Sequence, residues 1–88
     1  MILFEWNKKE ELAINHLIDE VKTYLPQGDM DLLRLTYDFA AEAHKGQERA
    51  SGEPYIVHPL HTAYNLSKLK LDLPTIMAGL LHDVPEDT

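Results

Sequence analysis

Apolar residues in this chain recur at helical spacing, and prolines and glycines cut that pattern into short segments. Ile14, Leu17, Ile18, Val21 and Leu25 follow one another at intervals of three and four, with Glu and Lys between them. That spacing places them on one face of an amphipathic helix predicted from Lys8 to Leu25. The segment Pro26 to Asp29 stops it, because proline cannot continue the ladder and the glycine suits a turn. Asp29 is positioned to cap a second helix predicted from about Met30 to Lys45. There Leu33, Tyr37, Ala40 and His44 form one apolar stripe, and Leu32, Leu35, Phe39 and Ala43 a second. Two stripes predict a helix buried on most sides, with Gly46 placed to end it. The polar stretch GQERASGEPYIV has no helical period and reads as a loop with room for a short hairpin. Pro59 suits the first turn of a third helix whose apolar side is Leu60, Ala63, Tyr64, Leu66 and Leu69. Pro74 starts a fourth through Ile76, Met77, Leu80 and Leu81. Pro85 is expected to end or kink it between His82 and Val84. The expected fold class is all-α.

Composition narrows the function. The 88 residues include 44% hydrophobic side chains, ordinary for a globular chain, and no cysteine, which excludes disulfides and thiolate metal sites. A formal net charge of −7 speaks against a nucleic-acid surface, which needs clustered cations. It leaves open a small phosphorylated ligand held by a metal and a few local cations. No apolar run approaches the ~20 residues that span a bilayer, and the start of the chain lacks the order of a secretory signal. The expected location is cytoplasmic.

The chemistry concentrates in LLHDVPEDT. His82 and Asp83 follow the apolar TIMAGLL and so emerge from the core, where such groups need a partner. Neutral imidazole and carboxylate together suit a divalent transition metal. Glu86 and Asp87 lie four residues beyond, where carboxylates can orient a water or move its proton. The bland alternative is a helix end with solvated acids. His58, at the start of the third helix, is either a helix-start residue or a further ligand from a second helix. His61, one turn on, could pair with it. His44 reads as a core histidine bonded to backbone, and His16 as exposed. Arg49 and Ser51 sit between two glycines in a loop where a guanidinium could stack on a purine or pair with phosphate.

Residues 37–88 carry AHKGQERASGEPY, HPL and LLHDVPEDT in that order. Together they resemble the N-terminal HD hydrolase domain of RelA/SpoT proteins, which make and degrade the alarmone (p)ppGpp. The first 36 residues fit the family's leading helices without a signature of their own. The resemblance implies an HD-type helical fold and a Mn²⁺ ion held by His58, His82 and Asp83. It implies that Glu86 and Asp87 assist the attacking water, and that Arg49 and Ser51 belong to the loop that receives guanine. The implied reaction is hydrolysis of (p)ppGpp to GDP or GTP plus pyrophosphate. Competing readings are an HD phosphohydrolase for another nucleotide and a non-catalytic regulatory or interaction piece of a (p)ppGpp synthetase.

Two positions depart from the pattern: Pro85 stands where the family usually has an aliphatic residue, and His61 where it is variable. The family's fourth ligand, an aspartate well beyond the HD pair, has no counterpart in these 88 residues. The expectation is therefore the front part, residues 1–88, of a hydrolase domain from a longer parent. Such a piece would be a poor hydrolase alone, with Ile76, Leu80 and Leu81 partly exposed and prone to self-association.

Overall fold

The computed structural model of the chain describes residues 14–50 and 52–84. Among them the secondary structure is helical apart from one isolated antiparallel bridge between Glu48 and Pro54. The helix α1 covers residues 14–24, α2 runs Met30–Ala43, α3 Val57–Lys68 and α4 Leu73–Leu81. The predicted start of the first helix, Lys8 to Ala13, lies outside the described residues.

Each helix begins and ends for a local reason. The Asp29 carboxylate accepts the Leu32 N–H at 2.9 Å and so caps α2. His44 closes that helix two residues earlier than the sequence predicts, and Gly46 follows in the left-handed conformation at φ 84°. The turn hands the chain to the loop through a Gln47 N–H bond to the His44 carbonyl at 2.9 Å. Asp72 caps α4, accepting the Thr75 N–H at 3.0 Å, and Pro74 occupies the first turn, where its missing N–H costs nothing. The helix stops at Leu81 with His82 as its C-cap, within one residue of the break that Pro85 predicts.

Hydrogen bonds from Thr75, its hydroxyl first and its N–H second, hold the Asp72 carboxyl below its ordinary value. A carboxylate whose folded pKa is depressed adds stability above its unfolded pKa and loses it as pH falls through the lower folded value. Asparagine caps a helix as well as aspartate but does not titrate. Asp72→Asn should therefore make helix content less sensitive to acid below about pH 4. An acid limb of the circular dichroism curve identical to the parent's would remove Asp72 from this role.

The core joins all four helices. Ile14, Leu17, Ile18 and Val21 from α1 meet Leu33, Tyr37 and Ala40 from α2, Leu60 and Ala63 from α3, and Ile76 and Leu80 from α4. Burying one such Leu or Ile contributes about 1.5–3 kcal/mol, a large share of the marginal stability of a small domain. Polar ties fix how the helices meet. The Tyr24 hydroxyl donates to the Leu71 carbonyl at 2.7 Å, Arg34 donates to Asn15, and Thr36 contacts the Met77 sulfur at 3.5 Å.

Three packing expectations are corrected. The second stripe of α2 faces outward: Leu35 is 63% and Phe39 60% exposed, with Leu32 also exposed. A helix buries only the faces on which another element lies, and α2 packs inward through Leu33, Tyr37 and Ala40. Ile76 and Leu80, expected to be partly open, are fully buried. The reason lies at Gly79, where an added Cβ would stand 2.8 Å from a Leu66 methyl and 3.6 Å from the Ala63 Cα. That bare backbone lets α3 close over α4. Leu69, expected on the apolar side of α3, is exposed beyond its end, and Ser67 is buried instead with its hydroxyl donating to the Tyr64 carbonyl.

Candidate metal centre

The turn between α3 and α4 reverses the chain, so the start of α3 and the end of α4 come together. His58 is the second residue of α3, His82 the cap of α4, and Asp83 the residue after it. One ligand atom from each lies within 4.8 Å of the other two. Oδ2 of Asp83 is 3.2 Å from Nε2 of His82 and 3.8 Å from Nε2 of His58. The His58 and His82 rings meet edge to face, their centroids 5.7 Å apart.

The neighbours decide which atoms face inward. Nδ1 of His82 lies 2.7 Å from the Gly79 carbonyl. A carbonyl only accepts, so Nδ1 carries a proton, and Nε2 is the ring atom turned toward Asp83 and the one that can serve as a metal donor. Asp83 is largely buried, and Oδ2 also accepts the Tyr55 hydroxyl at 2.9 Å. Nε2 of His82 and Oδ2 of Asp83, 3.2 Å apart, face each other closely enough to share a proton or a metal ion. Two ligands bound at 2.0–2.2 Å to one ion stand about 2.8–3.6 Å apart, so the His82–Asp83 pair is already at bridging distance. His58 stands a few tenths of an ångström outside that range from Asp83. The donor set, two imidazoles and one carboxylate, fits a divalent transition ion.

Arg49 stands outside this cluster on the loop between α2 and α3, exposed. The loop is a small hairpin in which the Arg49 N–H donates to the Glu53 carbonyl and the Gly52 N–H to the Arg49 carbonyl. Gly52 closes the turn at φ 91°, a conformation that other residues adopt only under strain. Ser51, Glu86 and Asp87 lie outside the described residues.

The other histidines separate. His61 does not pair with His58; it borders a separate pocket of about 210 Å³ with His16, Leu60 and Tyr64. His44 is buried at 2% exposure, and its ring bonds a side chain rather than backbone: Nδ1 lies 2.7 Å from the Gln47 amide oxygen. Sequence reasoning assigned no role to Tyr55 or to the Gly79 carbonyl. Tyr55 closes the AHKGQERASGEPY motif and precedes His58 by three residues, and the two rings lie 6.0 Å apart.

A helical domain in which a histidine opening one helix faces an adjacent His-Asp pair closing the next is organised as an HD domain. Residues 36–88 match that family, and the chain belongs to it. It is 50% identical over all 88 residues to a protein of Escherichia coli K12 named bifunctional (p)ppGpp synthase/hydrolase SpoT, of which it covers 11%. It is 42% identical over 82 residues, 93% of this chain, to an Aquifex aeolicus protein named guanosine-3′,5′-bis(diphosphate) 3′-pyrophosphohydrolase, covering 12% of that relative. A Myxococcus xanthus protein named GTP pyrophosphokinase is 52% identical over 68 residues, 77% of this chain and 9% of the relative. The resemblance to RelA/SpoT proteins carried by the three motifs is borne out. The chain spans about a tenth of the length of these relatives.

Proposed function

We propose that this chain contributes the metal-binding part of a (p)ppGpp 3′-pyrophosphohydrolase. The observation that carries this reading is the meeting of His58, His82 and Asp83 around one point, within a chain that has the ordered motifs of that family. The names of the E. coli and Aquifex relatives support the same substrate.

When bound, a divalent ion supplies a Lewis acid that acidifies water and draws charge from a phosphoryl oxygen; Mn²⁺ is the ion the family resemblance favours. The protein's share is positional. The Gly79 carbonyl fixes the His82 tautomer, and Tyr55 holds the Asp83 carboxylate. Glu86 or Asp87 would take a proton from the attacking water. The water oxygen then bonds to the phosphorus that carries the ribose 3′-oxygen, the bond between that phosphorus and the 3′-oxygen breaks, and the 3′-oxygen takes up the proton that the carboxylate removed. GDP and pyrophosphate leave. The compartment that fits is the cytoplasm, and no described helix is long and apolar enough to cross a membrane.

The direct test is to incubate the chain with ppGpp and Mn²⁺ and follow GDP and pyrophosphate over hours, since three donors should sustain only slow turnover. Products that require Mn²⁺ and vanish with EDTA are expected. Equal consumption of other nucleotides would favour the broader HD phosphohydrolase. Metal uptake without turnover of any nucleotide would favour the non-catalytic piece of a synthetase, which the name of the Myxococcus relative keeps in view. Arg49 and Ser51 are assigned to the guanine. Arg49→Lys should weaken nucleotide use about tenfold with metal uptake intact, because lysine lacks a planar face; stacked cations of this kind contribute up to about 2 kcal/mol. Unchanged kinetics would remove Arg49 from the site.

The outward stripe of α2 supports self-association. Leu32, Leu35 and Phe39 are exposed, and Asp31, Asp38 and Glu42 run beside them, exposed as well. Like charges oppose a second copy until salt screens them. Association measured by light scattering should therefore grow with ionic strength and disappear in Leu35→Glu. A monomer at every salt concentration would discard this contact.

A further inference from the structure

We propose that Tyr55 is a positioning residue of the metal centre, locked in place by His44 and Gln47. The inference rests on the reading of His58, His82 and Asp83 as a metal site.

The Tyr55 hydroxyl donates to Oδ2 of Asp83 at 2.9 Å, the same oxygen that faces both histidines. Asp83 lies two residues beyond the last residue of α4, so its position is set by its side-chain contacts as well as by the helix. A donor on one carboxylate oxygen selects the orientation that points Oδ2 at Nε2 of His82. A phenol is suited to this work. Its ring is rigid and its hydroxyl remains neutral, so it orients the carboxylate without cancelling the negative charge that a cation needs.

Tyr55 can hold Asp83 only if it is itself held. Its ring packs on the His44 ring with centroids 4.7 Å apart and a 34° tilt, and on the His58 ring edge to face at 6.0 Å. His44 is buried at the end of α2, its Nδ1 bonded to Gln47. Gln47 also bonds Tyr55 through the backbone, its carbonyl accepting the Tyr55 N–H at 3.0 Å. The order is thus α2, His44 and Gln47, then Tyr55, then Asp83. This gives a buried histidine outside the donor set a reason to be aromatic and hydrogen-bonded at that place. It also ties the base of the Arg49 hairpin to a metal ligand, since Gln47 and Tyr55 flank that hairpin.

Hydrogen-bonding neighbours of metal ligands typically govern about 10–100-fold in metal affinity. The test uses Tyr55→Phe, which keeps the ring and its packing and removes only the hydroxyl. Mn²⁺ titrations by calorimetry and the visible spectrum of the Co²⁺-loaded chain are compared with the parent, alongside thermal unfolding without metal. The expected result is about tenfold or greater loss of Mn²⁺ affinity and an altered Co²⁺ spectrum, with metal-free unfolding changed little. A parent and a Tyr55→Phe variant that bind Mn²⁺ equally would overturn the proposal and leave the metal site standing. A parent that takes up no ion would overturn both together. His44→Phe keeps an aromatic face but loses the Gln47 bond, and by this account acts through Tyr55. Combined with Tyr55→Phe it should cost little beyond Tyr55→Phe alone. Additive losses would place His44 outside the chain of support.

Discussion

Asp83→Ala should leave the four helices folded and remove the metal. Asp83 supplies the one negative charge among the three converging donors, and its Oδ2 is the point that both imidazoles approach. Losing a ligand should weaken Mn²⁺ binding by more than the ~10–100-fold typical of losing a ligand's hydrogen-bonding neighbour. Any Mn²⁺-dependent pyrophosphate release should fall to background. Without metal the change costs the fold little, because Asp83 lies beyond α4 and outside the buried cluster. Asp83→Asn sharpens the result: its amide oxygen can still accept from Tyr55, but the charge is gone. Calorimetric Mn²⁺ titration with circular dichroism separates these outcomes. Affinity retained in Asp83→Ala would exclude this cluster as the metal centre.

The second large effect is expected at Gly79. A single methyl there would press closely only on the far end of the Leu66 side chain, at 2.8 Å, with the Ala63 backbone at ordinary contact distance. Gly79→Ala should therefore be nearly neutral, its helix propensity gain of about 1 kcal/mol offsetting the displaced methyl. A branched side chain has no such outlet, because its γ-carbons would reach toward the Ala63 backbone, already 3.6 Å from an added Cβ. Gly79→Val should destabilise by about 1–3 kcal/mol, on the order of 5–20 °C in Tm for a domain this small. It should also weaken metal uptake, because the Gly79 carbonyl holds Nδ1 of His82. Thermal unfolding of the two variants with and without Mn²⁺ checks this. A Gly79→Val chain that melts with the parent would mean that α3 and α4 have room to spare.

Helical periodicity and proline punctuation carried most of the architecture, because both act within a few residues. Leu33, Tyr37, Ala40 and His44 read as one buried stripe and are one. The same rule failed for Leu32, Leu35 and Phe39, since periodicity tells which residues share a face and not whether another element covers it. Gly79 went unnoticed for a related reason: a glycine inside an apolar run gains meaning only from what packs on it. The candidate donors were legible as His58, His82 and Asp83 from residue type and motif order. Their support was not, because Tyr55 and Asp83 are 28 residues apart. No local pattern records a hydrogen bond over that distance.

The start of α3 has a consequence for anything anionic that approaches the centre. Helix amino ends commonly seat phosphate on their unpaired N–H groups, and α3 opens beside the donors with no side-chain cap at Ile56. Its backbone donors are nevertheless spent. Val57 donates to the Pro54 carbonyl, His58 to that of Tyr55 and Leu60 to that of Ile56, while Pro59 has no N–H to give. An anion arriving here finds a helix end whose amides already point back into the loop. Its charge must be met by a cation or by side chains such as Arg49, which makes recognition at this end of the domain depend on groups that can be lost or exchanged singly while the backbone stays as it is.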